Sequence, residues 1–187
     1  MTEKPLLLLD VDGVLNPEPV SSGKRPEGYQ THRMRPGGWD HPRQKPLRVW
    51  LNPQHGVELL KLAEVYELVW CTTWEHEANE WIAPHLGLPE LPVIEFGKSL
   101  ARPDGRIHWK TARVIEYTAG RPFVWVDDET GSWDVAYIKR HSTGSARFSL
   151  MHVNTRIGLT TGDFIELGVW HAEWATWVKA QKMFNLP

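Results

Sequence analysis

A single cysteine in 187 residues, Cys71, leaves this chain no possibility of an intrachain disulfide. A reducing cytoplasm is the simplest compartment for such a protein, and a buried structural thiol the simplest use of Cys71. Long apolar runs are also missing. The run at 6–9 is four leucines closed by Asp10, whereas a signal peptide needs roughly 7–15 apolar residues and a membrane span about 20. Neither sign of charge is in excess: 21 Lys and Arg against 23 Asp and Glu give a net charge of -2. Any preference for nucleic acid must therefore come from a local patch.

Several catalytic signatures are absent. No Walker phosphate loop occurs, which removes the usual mark of an ATP-using kinase. Cys71 begins no Cys-x5-Arg loop, because Glu77 stands where the Arg would be. His76-Glu77 has Glu80 in place of the second His of a zinc protease. The nine His are scattered without tight ligand spacing, which argues against a zinc site.

The chain has no repeat and no low-complexity segment, and its length suits one domain with a substantial core. Short, almost wholly apolar runs recur at 6–9, 68–71, 92–94, 123–126 and 148–153. Such runs suit strands buried on both faces, as in a parallel sheet. Asn52-Pro53 reads as an N-cap with Pro at the first helical position, opening a helix through Val57, Leu60 and Ala63. Further helices are expected at about 75–86, 109–118, 132–140 and 163–182. This alternation predicts an α/β fold, a single doubly wound, mostly parallel sheet. Eleven Trp are expected mainly as core and edge fillers.

Residues 16–50 break the rhythm, with ten Pro and Gly and little periodicity. A loop this long inside a compact domain is usually functional or disordered. It follows the first strand, so a small lid or β-hairpin flap over the active-site end of the sheet is expected. Its Lys24, Arg25, His32, Arg33, Arg35, His41, Arg43, Lys45 and Arg48 face only Glu18, Glu27 and Asp40. That local positive charge suits a polyanion such as a nucleic-acid end, or is an incidental solvated loop. Trp39, Trp74 and Trp133 are candidates for stacking on a base, although packing is the first expectation for each.

Ligands of open α/β sheets bind beyond the carboxyl ends of the strands. Those ends carry Asp10-Val11-Asp12-Gly13, Thr72-Thr73 and Asp127-Asp128-Glu129. A phosphate monoester is already negative, so a carboxylate attacking it needs a cation, and magnesium favours such oxygen ligands. Asp10 could ligate the metal with one oxygen and attack phosphorus with the other, forming an aspartyl-phosphate. Asp12 could protonate the leaving oxygen and then activate the hydrolytic water. Gly13 supplies a tight turn where a side chain would obstruct the phosphate.

In these residues the chain resembles the haloacid dehalogenase (HAD) superfamily. Asp10-Val11-Asp12-Gly13-Val14-Leu15 is similar to its first motif, DxDGxL, and the second Asp, which dehalogenases lack, points to phosphoryl transfer. The resemblance implies that Thr72, or Thr73 if the strand ends a residue later, hydrogen-bonds the phosphate. It implies a phosphate-steadying Lys before the last catalytic strand: Lys110, or Lys98 in competition. It implies Asp128 as a direct Mg²⁺ ligand supported by Asp127, with the Asp12 carbonyl as a further ligand. More narrowly, the segments at 68–75, 124–129 and 155–160 resemble the HAD domain of Swiss Army Knife RNA-repair proteins and of many actinobacterial and phage proteins. The expectation is a Mg²⁺-dependent phosphomonoesterase acting on a phosphorylated nucleic-acid end or nucleotide. A small phosphorylated metabolite as substrate, or a catalytically silent phosphate- or partner-binding module, remain as alternatives.

Overall fold

The structure, a computed structural model, describes residues 3–18, 23–39, 41, 43–97, 105–143 and 147–183. Four parallel strands make the central sheet: β1 (Leu6–Leu9), β4 (Glu67–Trp70), β5 (Phe123–Asp127) and β6 (Phe148–His152), in the order β4-β1-β5-β6. Two further strands, β2 (Gln30–Met34) and β3 (Leu47–Leu51), pair antiparallel as a separate hairpin within the 16–50 segment.

Both faces of the sheet are buried, as the unbroken apolar runs require. Side chains alternate across a strand, and the core divides accordingly. Leu7, Leu9, Leu68, Trp70, Val124 and Val126 point to one side, and Leu6, Leu8, Val69, Phe123 and Trp125 to the other. The first side is covered by α1 (Pro53–Leu62), α2 (Glu77–Trp81), α3 (Ala83–Leu86), α6 (Thr161–Met183) and the inner face of the hairpin. The second is covered by α4 (Thr111–Thr118) and α5 (Ser132–His141). All four leucines of β1 are fully buried, each contributing about 2–3 kcal/mol of transfer free energy.

α1 begins as its sequence dictates: the Asn52 side chain accepts the Gln54 N–H, and Pro53 follows at the first turn. The single helix expected at 75–86 is two short helices. Pro84 has no N–H for the turn behind it, so the chain breaks at Ile82 and restarts as α3. Residues 92–94 lie at the β4 edge as a single parallel bridge, Trp70 to Val93, and not as a strand. Trp70 N–H reaches Pro92 O at 2.8 Å and Ile94 N–H reaches Trp70 O at 2.9 Å. Pro89 and Pro92 cannot donate, so the ladder has nothing to extend it.

From β1 the chain moves outward to β4, then crosses back to place β5 on the other side of β1. The carboxyl ends of β1 and β5 therefore flank the topological switch point, where a crevice opens. Asp10 and Asp127-Asp128 stand there.

Candidate active site

Asp10 directly follows β1, and its Oδ1 accepts the Val11 N–H at 2.7 Å. Its Oδ2 accepts a bond from Lys110 Nζ, which also donates to Asp127 Oδ2 at 2.8 Å. The other oxygen of Asp127 accepts the Glu129 N–H at 2.9 Å. Asp10, Asp127 and Asp128 each bring a carboxylate oxygen within 4.8 Å of the others. This is the one such metal-capable cluster among the described residues.

The electrostatics are tense. Burial raises Asp10 to about 7, although Lys110 pulls it down, and the Asp127 charge adds to the rise. Burial pushes Asp127 up as well, but Lys110, His108 and the Glu129 N–H outweigh it and hold its pKa below the usual value. Burial and the Asp127 charge together raise Asp128. Lys110 is also buried, yet the two carboxylates beside it raise its pKa and keep it charged. With all three carboxylates ionised, one ammonium leaves two negative charges uncompensated, and burial together with that surplus is the tension behind the raised Asp10 and Asp128. An all-oxygen donor set with that surplus fits a hard dication such as Mg²⁺.

Gly13 ties the first motif to Asp128. Its φ is +77°, and a Cβ there would lie 2.3 Å from the Asp128 carboxyl. Lys110 is held from behind. The helix expected from residue 109 starts at Thr111, so Lys110 occupies the N-cap position. Asp134 accepts the His108 N–H at 2.7 Å, the Thr111 hydroxyl, and the Gly131 N–H at 2.9 Å. It thereby staples the start of α4 to the start of α5. No sequence signal identified Asp134, because its partners lie up to 26 positions away.

Asp12 is exposed, with one donor on each oxygen: Oδ1 accepts from Asn16 Nδ2 at 2.7 Å and Oδ2 from Trp74 Nε1 at 2.9 Å. Trp74, a candidate for stacking, is 7% exposed and holds Asp12 through its indole N–H. Asn16 is itself oriented by the hairpin, since its Oδ1 accepts the Trp50 N–H at 2.9 Å. Neither role was visible from local pattern. Thr72 is buried, with its hydroxyl oxygen 3.4 Å from the Trp74 N–H, whereas Thr73 is exposed and lines the cleft. Lys98 lies outside the described residues. Trp39 and Trp133 are exposed, at 38% and 55%, against the expectation of packing.

A cleft of about 210 Å³ is lined by Asp10, Asp12, Thr73, Lys110 and Asp128, among others. Beside it runs a groove of about 410 Å³ between the hairpin and α2, walled by Trp39, Arg48, Trp74 and Glu77. The two share Asp12, Gly13, Glu18 and Thr73. In the hairpin, Arg35 Nη1 donates to His41 O at 3.3 Å and Gln44 O at 3.0 Å, so Arg35 closes its own loop. Cys71 is buried beneath the site, and that burial pushes its thiol up.

A parallel sheet with a DxDG turn after its central strand, an acidic pair after the neighbouring one and a Lys between them define a HAD-superfamily domain, of hydrolase and phosphatase type. The model of the family described as the HAD domain in Swiss Army Knife RNA repair proteins matches residues 6–164. The chain belongs to that family. Neither a search of curated proteins nor one of solved structures found a match. Among the described residues, no helix is long and apolar enough to cross a membrane.

Proposed function

We propose that this domain is a Mg²⁺-dependent phosphomonoesterase that works through an aspartyl-phosphate on Asp10. The observation that carries the reading is the convergence of the Asp10, Asp127 and Asp128 carboxylates at the switch point of the sheet, with the Lys110 ammonium paired to Asp10 and Asp127. Asp10, Asp127 and Asp128 would hold the metal, with the Asp12 carbonyl; when bound it would offset the charge of phosphate and carboxylates. Asp127 has both oxygens engaged within the protein, so Asp128 is the freer ligand and Asp127 supports it.

An Asp10 carboxylate oxygen attacks phosphorus as the bond to the leaving oxygen breaks. Asp12 gives that oxygen its proton, and the alcohol departs. A water then attacks phosphorus, passing its proton to Asp12, while the phosphorus bond to Asp10 breaks and inorganic phosphate leaves. For the first transfer Asp12 must exchange its bond to Asn16 or Trp74 for one to the leaving oxygen. Lys110 steadies the phosphate oxygens. Thr73, exposed in the cleft, is better placed than buried Thr72 to touch them through its hydroxyl, and Thr72 contributes from beneath.

The preferred substrate is a phosphorylated nucleic-acid end or nucleotide, on the strength of the basic hairpin beside the cleft and the family's description. The experiment is hydrolysis of p-nitrophenyl phosphate with and without EDTA. Activity should vanish in chelator, return with Mg²⁺, and be absent in Asp10→Asn. Full activity of that variant would refute the mechanism, and undiminished turnover in chelator would refute the metal.

A further inference from the structure

The hairpin's outer face carries two charges that the fold does not explain. Arg33 and Arg48 stand directly opposite each other in the antiparallel register, so both side chains emerge on one face. Like charges in that position repel. Among the described residues neither guanidinium has an ion-pair partner. The Arg48 guanidinium lies over the Trp50 ring at 3.7 Å from its centroid, and its Nη1 is buried with no acceptor. Arg25, bonded to Thr31 Oγ1 at 3.4 Å, adds a third positive charge to the same face.

Among the described residues, no carboxylate supplies the missing partner. Asp12 is close enough to favour the charged form of Arg48, but its oxygens are directed to Asn16 and Trp74 and it makes no ion pair with Arg48. Glu77, on the opposite wall, accepts the Gly37 N–H. A buried guanidinium edge without an acceptor is the kind of tension that binding sites hold for a ligand.

Arg48 lines the groove that opens from the catalytic cleft through Asp12, Gly13, Glu18 and Thr73. A substrate with its scissile phosphate at Asp10 would therefore extend its leaving group along this groove. Trp39 and Trp74 line the groove as well, and among its described lining residues, which include the carboxylates of Asp12, Glu18 and Glu77, Arg48 is the one cation. We infer that Arg33 and Arg48 form a binding site for a second, non-scissile phosphate carried by the leaving group of the substrate. The inference rests on the phosphatase reading of the Asp10 cleft and adds a condition to it: good substrates carry two phosphates. A phosphodiester, as at the end of a strand, and a second monoester, as in a small bisphosphate, both satisfy it, because the recognising chemistry is the same.

The test compares kcat/KM for phenyl phosphate, a mononucleotide, a terminally phosphorylated dinucleotide and a sugar bisphosphate. The parent protein and an Arg33→Gln/Arg48→Gln double variant are assayed side by side. The parent should favour a doubly anionic substrate over phenyl phosphate by about 10–100-fold, the scale of charge-assisted contacts to phosphate. In the double variant that ratio should collapse towards one. Preference for the dinucleotide alone identifies a strand end as the source, and equal preference for the sugar bisphosphate identifies a small metabolite. No preference in the parent, or a ratio that survives both substitutions, overturns the site. Calorimetric binding of the dinucleotide to Asp10→Asn separates the two readings. Binding weakened by the two Gln, in a protein whose parent turns over no ester, keeps the anion site and rejects the phosphatase. Turnover without discrimination does the reverse.

Discussion

Replacing the proposed nucleophile should make the metal-free protein more stable. Asp10 is buried against Asp127, and its folded-state pKa is raised from 3.8 to about 7. The unfolded chain ionises this carboxyl near 3.8, while the folded chain retains the proton until about 7. The folded state therefore binds more protons across that interval, and its stability falls as pH rises through it. The whole effect, about 3 pKa units at 1.36 kcal/mol each, is on the order of 4 kcal/mol and is fully present above pH 7. Asp10→Asn is isosteric and carries no charge, so it removes the cost while weakening the acceptor offered to Lys110. A net gain of roughly 1–4 kcal/mol is expected in chelator at pH 8, or about 2–4 °C in Tm for each kcal/mol. The assay is thermal or urea unfolding of both proteins in EDTA at pH 8 and pH 5. The gap should narrow at pH 5, where wild type has recovered part of the cost. Mg²⁺ should then stabilise wild type more than the variant. A variant less stable than wild type at pH 8 in chelator, or a gap that ignores pH, would refute the reasoning.

Trp74→Phe and Asn16→Ala each remove one donor from Asp12, so each should slow alkyl phosphates more than p-nitrophenyl phosphate, whose leaving group scarcely needs a proton. Equal slowing of both esters would count against positioning of the acid. Gly13→Ala combines an unfavourable positive φ with a Cβ 2.3 Å from the Asp128 carboxyl. It should raise the Mg²⁺ concentration needed for half-maximal activity severalfold while far-UV circular dichroism stays native, and an unchanged metal requirement would contradict the placing of Asp128. His55 is 5% exposed, between Tyr29 and Phe164, and burial lowers its pKa from 6.5 to about 4. Its neutral form is intact above pH 6.5, and stability should be lost as pH falls from there to about 4. The loss is about 3 kcal/mol, and urea titrations of wild type against His55→Gln across that range should show the slope disappear.

The legible part of this protein is the part made of short-range pattern. Apolar runs of four to six residues between turn signals suit buried strands, so β1, β4, β5 and β6 were expected, and with them the strand ends where ligands bind. Asp10, Asp12, Asp127 and Asp128 could be named as candidates because Asp10 and Asp127 directly follow such runs and Asp12 and Asp128 lie within two residues of them. Asn52-Pro53 set the start of α1 because an N-cap and a φ-locked first turn are local properties. Residues 16–50 were expected as a β-hairpin flap or small lid, without strand bounds or register, because antiparallel register depends on which side chains find the core. Met34, Val49 and Leu51 settle that register by packing inward, which forces Arg33 and Arg48 outward together. Tertiary contacts alone decided the rest. The single bridge at Val93 followed from its position beside Pro92 at a sheet edge. The grip of Asn16 and Trp74 on Asp12, the support of Lys110 by Asp134 and the exposure of Trp39 and Trp133 join residues distant in sequence. Such contacts leave no periodic trace, because hydrogen-bond geometry across 62 positions is set by how the elements pack and not by the spacing of the residues that make it.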